Sequence, residues 1–183
     1  MTILILHAID SHAGAHWEQW LHDELTTQGH TVLMPNLPAA EHPNRATWLS
    51  TVQTVVKNVP TNELVLVGHS LGVVTALDFI EHSPTDVRGL ISVAGFGRDY
   101  GAELNSYFMR EREIDFTTIR QKVGKAFVFY GDNDPYVPQE VLADLAVKLD
   151  VPPTVIHNGQ HLNTDAGYTT FPELPSALQA FQS

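Results

Sequence analysis

The amino-acid sequence predicts an α/β fold: a three-layer arrangement of about six mostly parallel strands with helices on both faces, in a single domain spanning residues 1–183. Two observations predict it. Short, almost wholly apolar runs alternate with segments of helical period, the pattern of a parallel sheet covered on both sides. The chain's 183 residues, 43% hydrophobic and 17% charged, supply one substantial core and are too few for two. No repeat, low-complexity tract or long charge run breaks that pattern.

The elements follow in order. Ile3–Leu6 is the first apolar run, and Trp17, Leu21 and Leu25, recurring every four residues, mark the helix after it. Thr31–Met34 is the second strand candidate, followed by a helical stripe of Trp48, Val52, Val55 and Val56. Leu64–Val67 is the third, and Val73, Val74, Leu77 and Ile80 continue a helix that stops before Pro84. After the fourth strand, Leu90–Val93, residues 96–121 depart from the pattern, with Arg98, Asp99, Glu103, Arg110–Glu113 and Asp115 surrounding Tyr107, Phe108 and Met109. This stretch reads either as a small lid over a pocket or as a crossover helix with a charged outer face. Ala126–Tyr130 is the fifth strand; Pro138 opens a helix carrying Val141, Leu142, Leu145 and Leu149. Thr154–Ile156 is the sixth, and Leu174, Leu178 and Phe181 mark a terminal helix. The three tryptophans are expected in the core or a pocket wall.

Composition excludes several function classes. Lys and Arg number 10 against 21 Asp and Glu, and a net charge of −11 repels phosphate backbones and anionic membrane surfaces. Neither nucleic acid nor a membrane is therefore an expected partner. The absence of cysteine removes disulfides, thiolate metal sites and a cysteine nucleophile, and suits a reducing compartment. The apolar start, Met1–Leu6, runs into His7 and Asp10 too soon for a signal peptide or a span, so it reads as a strand and the protein as cytoplasmic.

The chemistry is carried first by Gly68-His69-Ser70-Leu71-Gly72, placed where the third strand gives way to a helix. A serine on so sharp a turn is lifted above the sheet edge, with the helix N-terminus aimed at it: a nucleophile elbow. A serine hydroxyl needs a base to take its proton and a carboxylate to orient that base. In a parallel sheet such groups gather at the carboxyl ends of strands. The fifth strand runs into Gly131-Asp132-Asn133-Asp134-Pro135, where Asp134 is the expected acid and Asp132 a turn residue. The sixth is followed by Asn158-Gly159-Gln160-His161, where His161 is the expected base and His157 its rival. His69 is expected to shape the elbow, and His12, His16, His22, His30, His42 and His82 to be surface or helix residues. No histidine pair has convincing metal spacing, so no metal and no cofactor are expected. The order Ser70, Asp134, His161 differs from the orders of the chymotrypsin and subtilisin architectures. Acyl transfer also needs donors for a developing oxyanion, expected from the backbone N–H groups of Leu71 and, in the loop after the first strand, Ile9.

With these residues placed, the chain resembles the α/β-hydrolase superfamily, and within it the small single-domain YdeN-like hydrolases related to the retinoblastoma-binding serine hydrolase. The likeness rests on the first strand into His7, His16-Trp17-Glu18-Gln19-Trp20-Leu21, Met34-Pro35-Asn36-Leu37-Pro38, Trp48, the elbow, Asp134-Pro135-Tyr136-Val137-Pro138 and Gly159-Gln160-His161. It implies a cytosolic serine hydrolase without a large cap domain, acting on small carboxylic esters or related acyl compounds, with Ser70, Asp134 and His161 as triad. Two positions depart from the family pattern: Ala8 follows His7 where a glycine is usual, and Leu162 follows His161 where phenylalanine is usual. The competing class is a binding protein that keeps the fold and uses its surface for a protein or ligand partner. A lyase or peroxidase built on the same elbow would differ in pocket contents.

Overall fold

The computed structural model describes residues 1–182. Six strands form one parallel sheet: β1 (Thr2–Leu6), β2 (Thr31–Leu33), β3 (Leu64–His69), β4 (Val87–Val93), β5 (Val123–Gly131) and β6 (Thr154–Ile156). Seven α-helices among the described residues accompany them: α1 (Glu18–Thr27), α2 (Arg45–Val55), α3 (Leu71–His82), α4 (Ser106–Arg110), α5 (Phe116–Lys122), α6 (Gln139–Leu149) and α7 (Glu173–Gln179). Every expected strand is present. β4 and β5 begin three residues earlier than their apolar runs, where Val87 pairs with Val123 and Gly89 with Lys125. Gly89 and Lys125 interrupt the apolar pattern there, while Val87 and Val123 beyond them pack on the core.

The period of two along each central strand divides the core between two faces. Leu4, Leu6, Leu64 and Leu66 pack with residues of α2, α3, α5 and α6. Ile3, Ile5, Val65 and Val67 face the other way, against α1 and α7. Trp17 and Trp48 are fully buried, one in each layer. Asn44 caps α2 by accepting from the Thr47 N–H, and Asp115 caps α5 by accepting from Thr117 and Thr118.

Strand order β2-β1-β3-β4-β5-β6 places the topological switch point between β1 and β3. Successive connections leave in opposite directions there and open a crevice at the carboxyl edge. Two glycines let the backbone close around it. A Cβ on Gly72 would strike the carbonyl oxygens of Leu6 and His7, so α3 can begin against the end of β1 only without a side chain. A Cβ on Gly131 would strike the Gln160 backbone, where the loops after β5 and β6 meet.

Residues 96–121 hold α4 and most of α5, and a buried ion network ties them down. Arg45 donates from Nε and Nη2 to both Asp78 oxygens at 2.7 and 2.8 Å. Its Nη1 reaches the carbonyl oxygens of Phe108, Met109 and Arg112. Arg112 donates to Asp78 at 2.6 Å and to Glu81 at 2.9 and 3.0 Å.

Candidate active site

Ser70 follows β3 in a backbone conformation of φ 52° and ψ −120°, which a non-glycine residue adopts only at a cost of about 1–3 kcal/mol. Its N–H donates to the Val93 carbonyl at 2.9 Å, fixing the turn to the end of β4. Although Ser70 stands at the N-cap of α3, its hydroxyl caps nothing, leaving Oγ available above the sheet. Ser70 is 6% exposed and lines a cavity of about 330 Å³ at the switch point.

His161 lines the same cavity. Its Nδ1 stands 2.7 Å from Asp134 Oδ2. A carboxylate can only accept, so Nδ1 carries the proton and a neutral ring presents a bare Nε2. The Asp134 side chain is wholly buried, and its Oδ1 accepts from the N–H groups of Tyr136 at 2.8 Å and Val137 at 3.0 Å. Gln160 and Leu162, on either side of His161, both have positive φ, which throws the ring out of the chain path. Tyr136 meets the imidazole edge-on with centroids 5.0 Å apart.

His69 is buried within the elbow and lies 3.0 Å from the His161 carbonyl through Nε2. The carbonyl must accept, so His69 is held with its proton on Nε2. Burial above all, and the neighbouring His161, depress its basicity well below the usual imidazole range. The neutral ring braces the loop that carries His161. His157 stands elsewhere: exposed, with Nδ1 2.8 Å from Asp132 Oδ2, which also accepts the Asn158 N–H through Oδ1. Asp132 thus folds the loop after β5 onto the loop after β6.

The loop after β1 forms the facing wall. His7 donates from Nδ1 to the Ala8 carbonyl at 2.8 Å and accepts the Leu37 N–H on Nε2 at 2.9 Å. Ala8 has a negative φ, so its methyl group occupies a conformation open to any residue; the positive φ nearest to it in this loop is that of Asp10. Among the described residues no protein acceptor takes the N–H of Ile9 or of Leu71, and Ile9 lines the cavity.

The sequence reading singled out none of several wall residues. His16, expected on the surface or in a helix, lines the cavity, as do Tyr100 and Asn105 from the segment after β4. His16 stands in the connection between β1 and α1, and such a loop position at the switch point was the available signal. The wall holds Asp10 and Asp165 and no lysine or arginine.

A parallel sheet with a strained serine elbow after β3, an acid after β5 and a histidine after β6 defines an α/β-hydrolase. The chain matches the Serine hydrolase family over residues 3–180 and belongs to it. It is 26% identical to the Bacillus subtilis (strain 168) protein YdeN, to which a hydrolase role is ascribed, over 99% of this chain and 96% of that one. The crystal structure of the B. subtilis ydeN gene product superposes with a TM-score of 0.91, covering 98% and 97% of the two chains. A carboxylesterase structure from the thaumarchaeon Nitrososphaera gargenis shares the fold at 12% identity, with a TM-score of 0.70 over 99% and 89%. The thioesterase domain of the curacin biosynthetic pathway does so at 17% identity, with a TM-score of 0.68 over 97% and 90%.

Proposed function

We propose that this hydrolase cleaves small carboxylic esters or related acyl compounds through an acyl-enzyme on Ser70. The observation that carries the proposal is the His161–Asp134 hydrogen bond of 2.7 Å, beside a cavity that also holds the uncapped Ser70 hydroxyl. Ser70 Oγ attacks the ester carbonyl carbon while its proton passes to His161 Nε2. Asp134 holds Nδ1–H and stabilises the imidazolium without taking the proton. The unpartnered N–H groups of Leu71 and Ile9 receive the oxyanion, one at the start of α3 and one from the loop after β1. Collapse of the tetrahedral intermediate expels the alcohol, which takes the proton from His161. Water, deprotonated by the same ring, then releases the acid and restores Ser70. Residues 96–121 act as a fixed wall of the pocket, consistent with the Arg45 contacts to the Phe108, Met109 and Arg112 carbonyls.

A fluorophosphonate probe tests the nucleophile. Wild-type protein labels, and Ser70→Ala neither labels nor hydrolyses p-nitrophenyl acetate above background. Folded wild-type protein that fails to label and to hydrolyse would leave a binding role for the same pocket.

A further inference from the structure

His16 is held in a way that a surface histidine is not. It is a non-glycine residue at φ 57°, a left-handed conformation that costs free energy and has to be imposed by its surroundings. Its Nδ1 accepts the Thr164 N–H at 3.2 Å and lies 2.9 Å from Thr164 Oγ1, which ties the loop after β1 to the loop carrying His161. An amide N–H can only donate, so Nδ1 is bare and the proton of the neutral ring sits on Nε2. Burial first, and His161 second, hold the ring below the ordinary imidazole pKa, favouring the neutral form. The ring packs edge-on against His69 with centroids 5.2 Å apart, half-buried on the cavity wall. No group among the described residues takes the Nε2 proton, so its tautomer and position are fixed while its donor is unused.

A second wall group is also unsatisfied. Asn105 begins α4 but does not cap it; its Nδ2 donates to Tyr100 Oη at 2.9 Å, and its buried Oδ1 has no partner. The cavity wall thus offers a neutral donor and a neutral acceptor beyond those needed for ester cleavage. A hydroxyl group can accept from the first or donate to the second. The wall carboxylates Asp10 and Asp165, with no cation beside them, oppose an anionic substituent.

We propose that the fixed Nε2–H of His16 is a specificity determinant, selecting a neutral, hydroxyl-bearing ester over its hydrocarbon counterpart. The inference rests on the acyl-enzyme reading above and deepens it. A site that hydrogen-bonds a substrate hydroxyl rejects the analogue lacking it, because the site's own polar group is then buried unpaired.

The test compares kcat/KM for the better enantiomer of ethyl 3-hydroxybutyrate with that for ethyl butyrate, and for 2-hydroxyethyl acetate with ethyl acetate. The wild type is expected to favour the hydroxylated member of at least one pair by about 10-fold, the effect of one well-made hydrogen bond. In His16→Asn, Oδ1 replaces Nδ1 toward Thr164, and asparagine tolerates the left-handed backbone, but the distal donor is gone. Its ratio is expected to fall to about 1. In His16→Gln the amide nitrogen reaches the place of Nε2, and the preference is expected to return in part. A wild-type ratio at or below 1 in both pairs overturns the proposal without any variant. So does a His16→Asn ratio that stays near 10. A His16→Gln ratio no higher than that of His16→Asn assigns the loss to disturbed packing and also overturns it. Turnover of the plain esters, abolished by Ser70→Ala, tests the hydrolase reading separately. Equal turnover within both pairs defeats only the His16 role, whereas no turnover of any ester defeats the hydrolase reading as well.

Discussion

Two buried aspartates do opposite work in this molecule. The Asp78 side chain on α3 is 1% exposed and receives Arg45 through both oxygens, with Arg112 as a third donor. Asp134 in the loop after β5 is equally buried but faces one histidine, His161. Arginine keeps its proton at every accessible pH, so the Asp78 cluster is a permanent ion network that fixes α4 and α5 over α3. A histidine can take up and pass on a proton, so the second pair suits the proposed chemistry. In the proposed mechanism the same residue type, at the same burial, is scaffold beside arginine and reagent beside histidine.

Exchanging the carboxylates for amides separates the two roles. In Asp134→Asn the Tyr136 and Val137 N–H groups still have an acceptor, but Nδ1 of His161 no longer faces a carboxylate. We expect kcat for p-nitrophenyl acetate to fall about 10³- to 10⁴-fold, while Tm moves by less than about 4 °C. A loss of activity explained entirely by unfolding would erase the distinction. Asp78→Asn should do the reverse, because Arg45 would keep its charge in a buried place with a neutral partner. We expect a destabilisation of about 3–5 kcal/mol, seen as a fall in Tm of about 10 °C, with kcat of the folded fraction within about 3-fold of wild type.

A third buried carboxyl sharpens the contrast because it has no charged partner. Glu18 at the start of α1 is 0% exposed, accepts the Gly14 N–H at 3.2 Å through Oε2, and has no hydrogen-bond partner on Oε1. Burial pushes its pKa up to about 8. A raised folded-state value means that the native state holds the proton more tightly than the unfolded chain. The stability linked to Glu18 is therefore complete below about pH 4.5 and is lost progressively as pH rises to about 8. Glu18→Gln, which cannot ionise, should be more stable than wild type at pH 8 by on the order of 2–4 kcal/mol and nearly equal to it at pH 4.5. Denaturant midpoints at the two pH values measure this, and equal offsets at both would remove the titration of Glu18 from the account.

The three carboxylates also show how far the sequence could be read. The pairing of Asp134 with His161 was legible because groups at the carboxyl ends of parallel strands converge, and Asp134 follows the β5 apolar run by a few residues. Ser70 and His161 were legible for the same reason, with the glycines that let β1 and α3 approach. Asp78 and Glu18 were not. Each lies on a helix among apolar residues, and its importance depends on Arg45 and Arg112, or on the lack of any counterpart, which are facts of three-dimensional contact. His16 was misread as surface or helix because the contacts that fix it come from Thr164, 148 residues away. Strand ends escaped where glycine or lysine breaks the apolar run although the backbone still pairs, as at Gly89 and Lys125.

The smallest expected effect concerns Ala8, the methyl group standing where the family pattern has glycine. If that methyl strained the loop, Ile9 would be a poor oxyanion donor and Ala8→Gly would raise kcat. The backbone argues otherwise: Ala8 has negative φ, is 6% exposed and lines the pocket, and the nearest left-handed residue is Asp10. Glycine would add freedom to the unfolded chain and remove a buried methyl without relieving any strain. We expect Ala8→Gly to cost about 0.5–1 kcal/mol of stability and to change kcat for p-nitrophenyl acetate by less than about 2-fold. A rise of 10-fold or more in kcat would mean that the methyl holds the Ile9 N–H away from the carbonyl oxygen. The loop after β1 would then be a wall whose position limits the chemistry at Ser70, in contrast to the Asp134 loop, whose backbone N–H groups already fix the acid in place.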